Sequence, residues 1–214
     1  MISEFKKIEK FFKEFDKALS HKVNVYAIGG TVLLYHGLKP ATKDIDLVVE
    51  TKEEFLEVQK ALSKIGFVIK IPGQEYEHMN LNQILQRDDF RIDLFEKKVC
   101  DKFLLSKNMT KRAKLVISFG NVKVALCANE DVFLFKTMTE REGDLTDCIS
   151  LAKTGIDWKI ILEELKYQIQ KSNQNVWITW VGERLDILEE RGLVIPIMKE
   201  VDHLRKAYFD SKAL

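Results

Sequence analysis

Apolar residues recur at helical spacing over residues 2–19. Ile2, Phe5, Ile8, Phe12, Phe15 and Leu19 share one face, which predicts an amphipathic helix. "VNVYAI" (23–28) is rich in β-formers and predicts a strand. Gly29 and Gly30 end it, and "TVLLYHG" predicts a helix that stops at Gly37. "DIDLVVE" alternates, with Ile45, Leu47 and Val49 on one face and Asp44, Asp46 and Val48 on the other. Thr51, with Glu54 three residues on, opens a helix striped by Phe55, Val58, Leu62 and Ile65, and Gly66 closes it. "FVIKI" predicts a third strand. "NQILQ" and "FRIDLFE" suggest two more around "RDD", and "KLVISF" and "VKVALC" a hairpin across Gly120-Asn121. Residues 99–109 read as a short helix or loop.

The pattern changes near Ala128. From Asn129 it is helical almost throughout. Trp158, Ile161, Leu162, Leu165 and Ile169 form one stripe, and Val176, Trp177, Val181, Leu185 and Leu188 another. Pro196 suits the first turn of a last helix holding Val201, Leu204 and Tyr208. The expected fold class is therefore α+β: a mixed, mostly antiparallel sheet flanked by helices over 1–128, then a helical C-terminal region over 129–214.

Composition narrows the partners. Lys+Arg is 34 against Asp+Glu 33, so no overall basic field announces nucleic acid, although a local patch stays open. No apolar run approaches the ~20 residues of a spanning helix. The N-terminus lacks an apolar signal region. A cytoplasmic protein with no membrane role is expected. The three cysteines, Cys100, Cys127 and Cys148, contain no C-x-x-C pair, so reduced thiols are expected and a zinc site is not. His36, His78 and His203 lack a partner pattern for catalysis.

The chemistry concentrates in aspartates on strands. Residues i and i+2 of a strand project from one face, so Asp44 and Asp46 converge. Asp93, between Ile92 and Leu94, supplies a third carboxylate from another strand. Carboxylate oxygens suit Mg²⁺, and paired metals are commonly bridged by such groups. A lone D-x-D is more often a solvated strand face, but Asp is disfavoured in strands, so three weigh more than one. Gly29 and Gly30 between a strand and a helix allow close backbone approach to a phosphate, and Thr31 adds a hydroxyl. No G-K-[ST] or G-x-G-x-x-G is present.

Taken together, Ile28-Gly29-Gly30, thirteen residues, Asp44-Ile45-Asp46-Leu47 and later Ile92-Asp93-Leu94 resemble the nucleotidyltransferase superfamily that shares its fold with polymerase beta. "HGLKPATKDIDLVV" is similar to stand-alone prokaryotic members, including abortive-infection toxin nucleotidyltransferases. "EDVFLFKTMTEREGDLTD" (130–147) is similar to a helix pair of those proteins, with Lys136, Arg141, Asp144 and Asp147 at matching positions. The resemblance covers about residues 23–150. Lys39 stands where many relatives have Arg, and Gly143 where many have Lys.

The resemblance implies a metal-dependent nucleotidyltransferase. Asp44, Asp46 and Asp93 would be catalytic and would hold Mg²⁺, with Mn²⁺ as the alternative. Gly29, Gly30, Thr31, Lys43 and Lys136 would bind the NTP, with Lys136 on the triphosphate. Lys43 and Arg91 would either neutralise phosphates or pair with neighbouring aspartates. Asp144 and Asp147 would order Arg141 or Lys136, or be solvated. The acceptor would be tRNA or another RNA, a protein hydroxyl or a small molecule, and a toxin-type member would have an antitoxin partner. A non-catalytic nucleotide- or partner-binding relative, and an RNA-binding module, are the competing readings. Trp177 and Trp180 fit core packing better than base stacking.

Overall fold

The computed structural model describes residues 1–70, 83–100 and 102–212. His78, and the ends at Ile71 and Asn82 of two predicted strands, lie outside the described residues. The chain divides into two compact units, Met1–Ala128 and Asn129–Leu214.

Unit 1 is built on a mixed seven-stranded sheet. Its strands are β1 (Val23–Ile28), β2 (Ile45–Val49), β3 (Val68–Lys70), β4 (Gln83–Arg87), β5 (Phe90–Glu96), β6 (Lys114–Ser118) and β7 (Val122–Leu126), in the order β3-β4-β5-β2-β1-β7-β6. β1–β7 and β2–β5 are parallel, and the other four pairings antiparallel. The helices are α1 (Phe5–Ala18), α2 (Gly29–Tyr35), α3 (Lys52–Lys64) and α4 (Lys107–Arg112).

Local chemistry explains most boundaries. α1 is shorter than its apolar period predicts. Ile2 is buried, but by pairing with Thr42 through two backbone hydrogen bonds of 2.8 Å, which leaves the helix to start at Phe5. Its buried face is Ile8, Phe11, Phe12 and Phe15, and Phe11 stacks on Phe15 and Phe90. α2 ends where Gly37 takes φ +70° and Leu38 N–H donates to Leu33 O. Thr51 caps α3 by accepting from Glu54 N–H at 3.2 Å. The Glu54 carboxylate accepts from Glu50 N–H and Asn24 N–H instead of reaching back to Thr51, so it ties α3 to the sheet. The β4–β5 hairpin turns at Asp88, in the left-handed region. Between 99 and 106 the described residues form bends and a turn, with Leu104 bridged to Lys98, and the helix there begins later, at Lys107, under a Ser106 cap.

Unit 2 contains α5 (Asn129–Thr137), α6 (Glu142–Ala152), α7 (Trp158–Ser172), α8 (Trp177–Glu190) and α9 (Met198–Asp210). Pro196 lies just before α9 rather than inside its first turn. Every residue of α5 from Asp131 to Thr137 is buried, so no amphipathic stripe exists to be read. On α7 the face of Ile161, Leu162 and Leu165 also buries Glu164 and Gln168, joined by a 3.0 Å hydrogen bond. Gly182 of α8 leaves room for Arg205 of α9, which reaches Asp186 through two nitrogens at 2.7 and 3.0 Å.

Candidate active site

Two neighbouring strands of unit 1, β2 and β5, carry the predicted carboxylates Asp46 and Asp93, and β1 flanks β2. Ile28 pairs with Asp46 across β1–β2, and Asp46 pairs with Asp93 across β2–β5. Register partners share a face of the sheet, on strands about 4.8 Å apart. Asp46 is half-buried and Asp93 only 4% exposed. Like charges directly opposite destabilise a sheet. Arg91, two residues before Asp93 on the same face, relieves this with a bidentate clasp: Nε to Oδ1 at 2.7 Å and Nη2 to Oδ2 at 2.9 Å.

The glycine pair has a reason visible at atomic level. Gly29 takes φ +60°, and a Cβ there would overlap Asp46 Oδ2. A Cβ at Gly30 would overlap Thr42 Oγ1. The two glycines thus make room for one carboxylate oxygen and one hydroxyl. Thr42, which the sequence reading passed over, is 3% exposed, pairs with Ile2, and donates from Oγ1 to Asp44 O at 3.0 Å. It fixes the turn that delivers Asp44. Only its place just before "KDID" hinted at this. Thr31 is 1% exposed, and its Oγ1 has no hydrogen-bond partner among the described residues.

The structure therefore brings Gly29, Asp46 and Asp93 together, with Gly30 and Thr31 following in α2. Asp44 lies one residue before β2, half-buried, and Lys43 beside it is exposed. Among the described residues, no group of three or more His, Cys, Asp or Glu side chains is disposed to hold a metal ion. The expected three-carboxylate cluster is not assembled. Asp44 precedes β2 by one residue, and both carboxylate oxygens of Asp93 accept from Arg91. Arg91 is thus an ion-pair partner of an aspartate, one of the two roles open to it.

Down the same face, Tyr26 pairs with Val48, and its hydroxyl donates to Glu50 Oε2 at 3.3 Å. Lys107 Nζ donates to Glu50 Oε1 at 2.6 Å. Burial, and then the Glu50 charge, push the Tyr26 phenol up to about 12, so it remains a donor at neutral pH.

Lys136 belongs to unit 2. Its ammonium is 8% exposed and meets Asp144 Oδ1 at 2.6 Å and Asp147 Oδ2 at 2.7 Å. Asp144 Oδ2 also accepts from Thr139 Oγ1 at 2.6 Å and Arg141 Nε at 2.7 Å. Burial alone would raise the Asp144 carboxyl, but Lys136, Arg141 and the hydrogen bonds outweigh it and hold it below its usual range. Burial pulls the Lys136 ammonium down, and the two aspartates more than restore it. Of the readings open for Asp144 and Asp147, ordering Lys136 and Arg141 is the one present. As placed, the Lys136 ammonium bridges two carboxylates. Cys127 and Cys148 are buried and Cys100 half-buried, and none of the three is in a disulfide.

A seven-stranded mixed sheet with a strand–Gly-Gly–helix turn beside strand-borne aspartates defines a nucleotidyltransferase-like fold. The chain belongs to the family described as "Nucleotidyltransferase of unknown function (DUF6036)", which matches residues 3–181. Among solved structures it is similar to ANT(2")-Ia in complex with adenylyl-2"-tobramycin, at 10% identity and TM-score 0.49, covering 77% of this chain and 99% of that one. It is also similar to an antigenic nucleotidyltransferase-like protein from Paracoccidioides brasiliensis, at 16% identity and TM-score 0.45, covering 84% and 94%. No curated protein matches the chain. No helix among the described residues is long and apolar enough to cross a membrane.

Proposed function

We propose that unit 1 catalyses metal-dependent transfer of an NMP from an NTP to an acceptor hydroxyl. The acceptor oxygen bonds to the α-phosphorus, the bond from that phosphorus to the bridging oxygen breaks, and pyrophosphate and a proton leave. The observation that carries this reading is the Asp46–Asp93 register pair beside Gly29, whose missing Cβ leaves space for an Asp46 oxygen.

The donors suit Mg²⁺, with Mn²⁺ as the alternative. Asp44 and Asp46 supply two carboxylates, the number with which Mg²⁺ is usually bound when triphosphate oxygens and waters complete its shell. Bound there, the ion would neutralise triphosphate charge and polarise the reacting phosphate. The chain's own residues do the rest. The Gly29–Gly30 backbone lets phosphate oxygens approach closely, and the buried Thr31 hydroxyl is a donor such an oxygen would satisfy. Lys43, exposed beside Asp44, adds positive charge at the same turn. Asp93 accepts the acceptor's proton once Arg91 releases it, and the freed guanidinium then faces the incoming phosphates.

Incubation with each labelled NTP, Mg²⁺ and separate pools of RNA including tRNA, protein extract and small hydroxyl compounds reads both nucleotide and acceptor. Asp46→Asn and Asp93→Asn should fold and lose transfer, whereas full transfer by either would refute this assignment. The Arg91 clasp on Asp93 favours a second reading, a nucleotide-binding protein without transfer. Mg-NTP binding with no labelled product in any pool would select it. A toxin role with an antitoxin partner predicts growth arrest on expression that Asp46→Asn abolishes.

A further inference from the structure

The two carboxylates assigned to Mg²⁺ are not held in the same way. Asp46 lies within β2 and pairs with Ile28 on one side and Asp93 on the other. Asp44 precedes the strand, and the ladder begins only at its neighbour Ile45, which pairs with Ile92. Sheet pairing therefore does not fix Asp44 relative to Asp46. The loop between α2 and β2 has to do so.

Thr42 is the point at which that loop is tied. Its N–H and C=O exchange hydrogen bonds of 2.8 Å each with the backbone of Ile2. Its hydroxyl donates to Asp44 O at 3.0 Å, which orients the peptide plane joining Asp44 to Ile45. Thr42 is 3% exposed and Ile2 1%. The glycine turn closes over the same hydroxyl, because a Cβ at Gly30 would overlap Thr42 Oγ1. Gly30 lies outside the left-handed region, so its backbone alone does not demand a glycine. The nearness of Thr42 does. The two adjacent glycines thus seat both carboxylates: Gly29 makes room for Asp46 Oδ2, and Gly30 for the hydroxyl that holds Asp44.

The N-terminal segment braces this loop at both ends. Phe5, the first residue of α1, meets Tyr35, the last of α2, edge to face with ring centres 4.9 Å apart. Ile2 grips the other end at Thr42. Ile8, Phe12 and Phe15, all fully buried, root α1 itself in the core. The brace is therefore as firm as the core it starts from.

We infer that Thr42 is a positioning residue for the metal: its hydroxyl, seated by Gly30 and braced by Ile2, presents Asp44 to the ion that Asp46 also holds. This rests on the metal-dependent transferase reading and adds to its site a residue from the loop and a strap from the N-terminal segment. Hydrogen bonds behind a metal ligand set its orientation. Thr42 holds the backbone of Asp44 rather than its carboxylate, so the effect expected is that of one hydrogen bond, about 2- to 10-fold in metal affinity.

The test reads metal binding without turnover. Affinity for each labelled NTP is measured in Mg²⁺ and in EDTA with no acceptor present, and the ratio of the two reports coordination of the ion. Thermal unfolding is followed in parallel. Asp44→Asn and Asp46→Asn should lower the ratio most. Thr42→Val, which keeps the branched shape and loses the hydroxyl, should lower it about 2- to 10-fold. Thr42→Ser, which keeps the hydroxyl, should restore it. Ile2→Ala should lower it less, and the double variant Ile2→Ala/Thr42→Val by less than the product of the two single effects, because both act on Asp44. If Thr42→Val does not fold, Ile2→Ala carries the test. A wild-type ratio in the folded variants, a ratio as low in Thr42→Ser as in Thr42→Val, or equal losses in Mg²⁺ and EDTA would each overturn the inference, the last by making Thr42 a structural tie only. A wild-type protein that binds NTP equally in Mg²⁺ and EDTA would overturn the metal-dependent reading and this inference together. A ratio that Asp44→Asn and Asp46→Asn abolish and Thr42→Val leaves intact would overturn this inference alone.

Discussion

Two carboxylate clusters in this chain were expected to serve one reaction, and their physics differs. In unit 2, Asp144 and Asp147 close on Lys136, and Thr139 and Arg141 complete Asp144, so a buried cation and its anions are matched. In unit 1, Asp46 and Asp93 face each other across parallel strands, and the guanidinium that clasps Asp93 comes from the partly exposed Arg91. A buried, balanced cluster is what a fold needs to seal charge in its interior. A pair of carboxylates in register, beside a glycine that leaves one of them space, is poorly suited to stability alone. The contrast teaches that charge balance and access, more than the number of aspartates, separate a structural knot from a reactive site.

The largest expected effect tests the structural side of that contrast. Lys136→Met strips the cation from two buried aspartates and should cost about 3–5 kcal/mol, as breaking buried pairs does. Denaturant unfolding reads it directly, and Lys136→Met that unfolds like wild type would place the lysine outside the structural role. The pH dependence follows in sign. Asp144 is held below its usual value of 3.8, so its stabilisation is present above that pH and lost as pH falls through the lower folded value. Lys136 is held above 10.5, so its contribution is full below that pH and lost as pH rises through the folded value. Between these limits the knot should contribute a constant stability.

On the reactive side, Asp46→Asn should lower NMP transfer by at least ~10²-fold, the scale seen when a preorganised transition-state group is removed, with a much smaller change in melting temperature. Lys136→Met and Asp46→Asn are the two halves of one comparison: the first should lose stability, the second activity. If both lose activity at unchanged stability, the unit 2 cluster belongs to the chemistry after all.

Much of this was legible in the chain itself, and the exceptions share a cause. β1 matches "VNVYAI" residue for residue, and both hairpins fall where turn chemistry put them, because alternation and turn residues are local signals. Ile2 fits the period of α1 but pairs with Thr42, forty residues on, and no local pattern records that. The same holds for the site. Gly29, Asp46 and Asp93 were found from spacing, whereas the Arg91 clasp depends on both side chains sharing a strand face within reach, and Thr42 on a bridge to the N-terminus. Glu164 and Gln168 sit inside an apolar stripe because they satisfy each other, a pairing that a hydrophobicity pattern treats as noise.

Gly29→Ala probes the contact between turn and carboxylate. The residue has φ +60°, and the new Cβ would overlap Asp46 Oδ2. A cost of about 1–3 kcal/mol is expected from the backbone conformation and the displaced carboxylate together. Transfer should fall by more than the stability loss explains, because Asp46 is what moves. Equal loss in Gly29→Ala and Gly37→Ala, where φ is +70° and a Cβ meets nothing within 4 Å, would reduce the glycine to a turn requirement.

The smallest effect belongs to the rim of the knot. Arg141 donates to Asp144 at 2.7 Å, as close as the Lys136 contacts, yet its side chain is 60% exposed. Distance alone would rank it beside Lys136. Solvent screening does not, since exposed pairs are worth about 0–1 kcal/mol. Arg141→Ala should therefore destabilise by well under the cost of Lys136→Met, and 1 M salt should erase most of the difference from wild type. The Lys136 contribution should persist in the same salt. A large, salt-resistant loss in Arg141→Ala would mean that the knot extends to the surface and that burial is not what sets its strength.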